Sequence, residues 1–218
     1  MPVTQPADSA SVASGIAAVD AYLEQGYATV PGMSSRFAAA ISAGIMRIQT
    51  KLGVSGPIAE IGTFEGRFFI ALAKALQPGE MALGMDIFDW PNPEVVERFE
   101  ANCGKHDVPA AIAKTWKCVS RKVTPAELLE RTGAKKVRLF HVDGEHSRAS
   151  LEKDLALATA VLADDGVIIL DDMLHPGYPT LMVTVHEYLG RHPELCGIAR
   201  DRLRQHGHLH GQDGRAHW

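Results

Sequence analysis

With 218 residues, 46% of them hydrophobic and 22% charged, the chain has an ordinary globular composition, and its length suits one α/β domain whose core needs no disulfides. The 22 Lys and Arg against 26 Asp and Glu leave a net charge of -4, without the clustered basic excess of a nucleic-acid binder. No apolar run approaches the roughly 20 residues of a membrane span. Cys103, Cys118 and Cys196 form no CxxC pair, and the opening residues show neither the basic nor the apolar segment of a signal peptide, so a reducing, cytoplasmic setting is expected.

Residues 1–30 read as an N-terminal extension and helix, 31–205 as the main domain, and 206–218 as a His-rich tail holding four of the ten histidines. Ser34 to Leu52 spaces Phe37, Ile41, Ile45, Ile48 and Leu52 at helical intervals, which predicts an amphipathic helix packing that stripe beside a sheet. Pro57 to Gly62 then reads as a short strand ending in a glycine turn, with an apolar helix over Arg67 to Leu76. Further strands are predicted at Met81 to Phe88, Trp116 to Ser120, Val137 to Asp143 and Val167 to Asp171, with helices at Pro93 to Lys105, Pro125 to Thr132, Arg148 to Leu162 and Tyr178 to Leu189. In the Arg148 helix, Leu151, Leu155, Ala158 and Leu162 are expected inside, and Glu152, Lys153 and Asp154 outside. The alternation predicts a doubly wound, mostly parallel α/β sheet, Rossmann-like, covered on both faces.

Ligands of such sheets sit beyond the carboxyl ends of the strands. Four of the five predicted ends carry carboxylates: Glu60, Asp86, Asp143, and the pair Asp171 and Asp172. The first turn spaces Gly62 and Gly66 as GxxxG around Thr63 and Phe64, which departs from the GxGxxG of dinucleotide sites and suits a smaller nucleoside cofactor, though a plain tight turn has the same look. Glu60 suits a cofactor ammonium group, and Asp86 can accept two ribose hydroxyls. Asp143, Asp171 and Asp172 at adjacent strand ends repel one another unless a cation neutralises them, and an all-oxygen set prefers Mg²⁺.

Together EIGTFEGR, GMDIFD and FHVDGEHSRASLEKDLALATAVLADDGVIILDD resemble the class I S-adenosylmethionine-dependent methyltransferases, within them the macrolide-sugar and rhamnosyl O-methyltransferases and cephalosporin-hydroxylase-like proteins. The resemblance runs from about Pro31 to Leu195. It implies that Glu60, Gly62 and Gly66, with Thr63 and Phe64 between, line the methionine end of S-adenosylmethionine, that Asp86 holds the ribose and that Ser120 lies near the adenine. It also implies a Mg²⁺ site of Asp143, Asp171 and Asp172, Asp143 bordering the cofactor as well, and His146 as the base that takes the acceptor's proton. His175 and Tyr178 follow the metal pair and are candidates to wall the acceptor pocket.

The function expected is therefore a Mg²⁺-dependent O-methyltransferase acting on a hydroxyl of a small molecule, a sugar or other secondary metabolite. The alternatives are a metal-independent methyltransferase and a catalytically silent cofactor-binding module. Relatives of this kind finish with an antiparallel hairpin, whereas here only Leu195 to Leu203 precedes the tail. An incomplete sheet edge of that sort favours a homo-oligomer.

Overall fold

The structure, a computed structural model, describes residues 12–195. Five strands form one sheet: β1 (Ile58–Ile61), β2 (Ala82–Asp86), β3 (Ala113–Lys117), β4 (Val137–Val142) and β5 (Leu162–Leu170). Their order is β3-β2-β1-β4-β5 and every pairing is parallel, with Ile58 of β1 opposite Ala82 of β2 on one side and Leu139 of β4 on the other. The chain works outward from β1 to β3 and then returns to β4 on the other flank of β1. That reversal opens a crevice beyond the ends of β1 and β4.

Helices α1 (Ala17–Gln25), α2 (Arg36–Lys51), α3 (Arg67–Ala73) and α4 (Val95–Lys105) bury their apolar residues on one face of the sheet. Helices α5 (Pro125–Thr132), α6 (Arg148–Val161) and α7 (Thr180–Arg191) do so on the other. Both faces are thus covered, which is why β1 and β4 are buried along their whole length. Local signals agree with these elements: Ser35 caps α2 through the Phe37 and Ala38 N–H groups, and Thr124 and Glu127 form a reciprocal capping box on α5.

Three expectations are corrected. The α2 stripe is turned over: Ala39, Ala40, Ala43 and Met46 face the core, while Phe37, Ile41, Ile48 and Leu52 are exposed. Small residues let the helix approach the sheet closely, and the large ones are left outside. Asp154 is buried at 1% exposure rather than facing out. The third strand ends at Lys117, three residues early, so Ser120 opens a short 3₁₀ turn (Ser120–Lys122) beyond it.

β5 begins at Leu162, directly after α6, but Val137 and Leu139 of β4 pair with Leu162 and Val167, so regular pairing starts at Val167, as the sequence indicates. On β4, Arg138 is fully buried and its Nη2 donates to Glu80 Oε2 at 2.6 Å, tying the sheet to the turn before β2. No helix among the described residues is long and apolar enough to cross a membrane. Cys196, the stretch to Leu203 and the His-rich tail lie outside the described residues.

Candidate active site

A cavity of about 1040 Å³ opens at the carboxyl ends of the strands. Every site residue named from the sequence lines it except Gly66. Gly66 instead precedes α3 at φ 91°, where a Cβ would lie 3.0 Å from the Phe99 ring. Gly62 is at φ 84°, and a Cβ there would lie 1.8 Å from the Asp143 carbonyl oxygen, so the ends of β1 and β4 touch only because this residue is glycine.

The turn after β1 is held from β2. Asp86 accepts the Phe64 N–H on Oδ2 at 2.8 Å and the Phe88 N–H on Oδ1 at 2.9 Å, fixing two non-glycine residues at positive φ, 48° and 46°. Each oxygen keeps a further lone pair for a ligand hydroxyl. Beneath the turn, Glu60 is 2% exposed and its Oε1 lies 3.2 Å from Nδ1 of His141 on β4, whose ring stacks on Phe68 at 4.3 Å. Burial raises the Glu60 pKa, with the neighbouring Asp86 and Asp171 adding to it and His141 opposing. Burial lowers that of His141, but Glu60, Asp143 and Asp171 more than offset it and the net shift is upward. Both shifts favour a proton on the pair. Glu60 Oε2 and Thr63 Oγ1 are buried with no hydrogen-bond partner, two polar atoms at the cavity that a ligand can satisfy.

On the β4 and β5 side, one donor atom each from Asp143, His146 and Asp172 lies within 4.8 Å of the others. His146 Nε2 is 2.7 Å from Asp172 Oδ2 and 4.0 Å from Asp143 Oδ1, yet makes no aligned hydrogen bond to either. Asp171, expected beside them, is not in this group; its Oδ1 accepts the Asp172 N–H at 2.8 Å, bracing a residue at φ 55°. Burial pushes the Asp143 carboxyl up to about 8, with Asp171, Glu60 and Asp172 adding to the rise against the pull of His141. Glu145 points elsewhere, accepting from Ser150 Oγ at 2.6 Å and Arg121 at 3.2 Å. Tyr178 is stacked between His146, at 4.2 Å and 8° between planes, and His175, at 4.7 Å.

A family model described as a methyltransferase domain matches residues 59–173, more than half of the chain and all of the strand ends just described. The chain belongs to this methyltransferase family. No curated protein matches it by sequence. Among solved structures, the methyltransferase is similar to the O-methyltransferase TomG from Streptomyces achromogenes, in complex with SAM (TM-score 0.55, 21% identity, 84% of this chain and 79% of that one). It is similar also to the O-methyltransferase NovP (0.62, 14%, 74% and 76%) and to the TDP-rhamnose 3'-O-methyltransferase CalS11 (0.53, 19%, 69% of each chain). At these identities the likeness is one of fold.

Two parts of the methyltransferase site were not read from the sequence. Pro31 to Ser34 form one wall, drawn in because the Arg67 guanidinium at the start of α3 donates to the carbonyl oxygens of Val30 and Gly32. His141 is the other, and its signal was a titratable residue inside the otherwise apolar run from Leu139 to Val142.

Proposed function

We propose that this methyltransferase transfers a methyl group from S-adenosylmethionine to a hydroxyl oxygen of a small molecule, assisted by a divalent cation. The observation that carries the reading is that the Gly62–Gly66 turn, with its unpartnered Glu60 Oε2, and the Asp143, His146 and Asp172 donors open into one cavity. The cofactor supplies the electrophilic methyl. In this reading Glu60 Oε2 would accept from its ammonium group, Asp86 would hold its ribose hydroxyls, and Ser120 would lie at the adenine end. The surrounding carboxylates attract a positively charged sulfonium.

The donors fit a cation because His146 Nε2 approaches two carboxylate oxygens without hydrogen-bond alignment, as electron pairs aimed at a common point do. A cation there supplies Lewis acidity that lowers the pKa of a hydroxyl. Asp143, His146 and Asp172 would hold it, and Asp171 would brace Asp172 from behind. The two carboxylates suit Mg²⁺ or Mn²⁺, while the imidazole shifts the preference of the set toward a transition metal. Tyr178 and His175 on one side and Phe64 and Trp90, 5.5 Å apart, on the other give aromatic walls for a ring-bearing acceptor such as a sugar.

A second reading rests on the 2.7 Å approach of His146 to Asp172 alone. In it, the imidazole takes the hydroxyl proton with no metal, Asp172 stabilising the imidazolium. Turnover of a panel of sugar and phenolic hydroxyls, with Mg²⁺, with Mn²⁺ and with chelator, separates the two. Loss of activity on chelation and in Asp172→Asn, with S-adenosylhomocysteine still bound, supports the first. Activity that survives chelation and is lost in His146→Ala supports the second. No binding of S-adenosylmethionine would refute both.

A further inference from the structure

Among the described residues, four of the exposed large apolar side chains lie on one face of α2, which the proposed chemistry leaves unused. Phe37, Ile41, Ile48 and Leu52 are 59%, 42%, 52% and 75% exposed. At about 100° per residue they fall within an arc of roughly 60°. Their exposed side-chain surface is on the order of 450 Å², comparable to the largest apolar patch on a typical monomer, and such patches mark interaction sites. Gly44 lies beside the same arc, midway along the helix. Among the described residues a Cβ added there would meet nothing closer than the Ser14 carbonyl oxygen at 3.7 Å, so their packing does not require glycine. A helix-interior glycine nevertheless costs about 1 kcal/mol relative to alanine.

We infer that α2 is the interface of a homodimer, packed antiparallel against α2 of a second copy across a twofold axis beside Gly44. The spacing reads alike from either end about the point between Gly44 and Ile45: Phe37 comes opposite Leu52 of the second copy, and Ile41 opposite Ile48. A twofold interface needs that self-complementarity. Gly44 supplies the notch that lets two helix backbones approach, for which a fluid lipid surface has no use. The cations do not oppose each other, since Arg36 comes opposite Gly53 and Lys51 opposite Ala38, while Arg47 Nε is committed to the Ser14 carbonyl at 3.0 Å. Two copies contribute on the order of 900 Å² from these four side chains alone, and flanking residues bring the total toward the roughly 1,200 Å² at which specific interfaces begin.

Sedimentation velocity of the full chain tests this. Wild type is expected at twice the chain mass of 23.6 kDa, and Ile41→Glu and Ile48→Lys each at the monomer mass with unchanged circular dichroism. An equimolar mixture of the two variants is expected to restore the dimer, because position 41 of one copy faces position 48 of the other. A monomeric wild type, a dimer that survives both variants, or a mixture that stays monomeric overturns the proposal. A monomer that floats with vesicles containing anionic lipid would assign the stripe to a membrane surface and overturn it equally.

Discussion

Replacing Asp86 by Asn removes one oxygen from a carboxylate whose two oxygens each hold a backbone N–H, and turns an amino group toward the donor it leaves. Bonds to a charged acceptor contribute roughly 1.5–3 kcal/mol each. One of the two is lost and the other becomes neutral, a loss of about 3 kcal/mol before the turn relaxes. The residue whose N–H loses its acceptor, Phe64 at φ 48° or Phe88 at φ 46°, can then leave the left-handed region, which returns about 1–2 kcal/mol. The net loss of about 1–2 kcal/mol corresponds, for a chain of this length, to a fall in Tm of roughly 2–8 °C. That relaxation is what a ligand must then reverse, so S-adenosylhomocysteine should bind at least about tenfold more weakly. Calorimetric melting and isothermal titration read the two effects separately, with the exposed Asp89→Asn as the control. An Asp86→Asn protein melting within a degree of wild type and binding the ligand equally well would refute the view that this carboxylate organises the turn.

Gly62→Ala forces a Cβ against the Asp143 carbonyl at a backbone angle alanine disfavours, and thermal melting should show a loss of about 3–5 kcal/mol. Glu80→Ala strands the fully buried Arg138 charge and should cost about 3–5 kcal/mol, whereas Arg138→Met leaves Glu80 with the Gly56 and Gln77 N–H groups at 2.9 and 2.8 Å and should cost less; urea melts giving the reverse order would contradict this assignment. Burial pushes the Asp154 carboxyl up to about 6, against the opposing Ser120 hydroxyl. The folded state therefore binds the proton more tightly than the unfolded one, and this stability, present below pH 4, is lost as pH rises toward 6. Asp154→Asn should abolish that slope and exceed wild type by about 3 kcal/mol at pH 7.5, as urea melts across pH 4–8 would show.

The alternation of periods made the layer architecture legible, and the doubly wound topology then told where to look, because carboxylates at strand ends are in place once the strands are. Sequence could not tell which side of α2 is covered. A stripe of large apolar residues marks a face that avoids water, but the alanine face opposite packs closer to the sheet, and close packing won. Asp154 lies at the edge of the α6 stripe, and long-range neighbours enclose it: the Gly144 loop, whose Cβ position would be 3.0 Å from Asp154 Oδ2, and the Ser120 hydroxyl. Pro31 to Ser34 reached the cavity through Arg67, a long-range bond to backbone carbonyls that leaves no trace in local pattern. The cluster of Asp143, His146 and Asp172 was legible as a neighbourhood. That His146 rather than Asp171 groups with the two carboxylates depends on side-chain direction, which one residue of rotation in a tight turn decides.

The pairing of β1 has a kinetic consequence. Ile58 is hydrogen-bonded into a ladder with Ala82 on one side and Leu139 on the other, so one flank closes a short loop and the other a loop several times longer. Loop closure must be met before such distant contacts are rewarded, and parallel sheets built this way acquire structure slowly. The β1–β2–β3 half can zip locally, but the crevice exists only after β4 has docked. Capacity to bind a nucleoside ligand should therefore return last in refolding, after most helical signal has recovered, so that a binding probe reports completion of the sheet rather than its beginning.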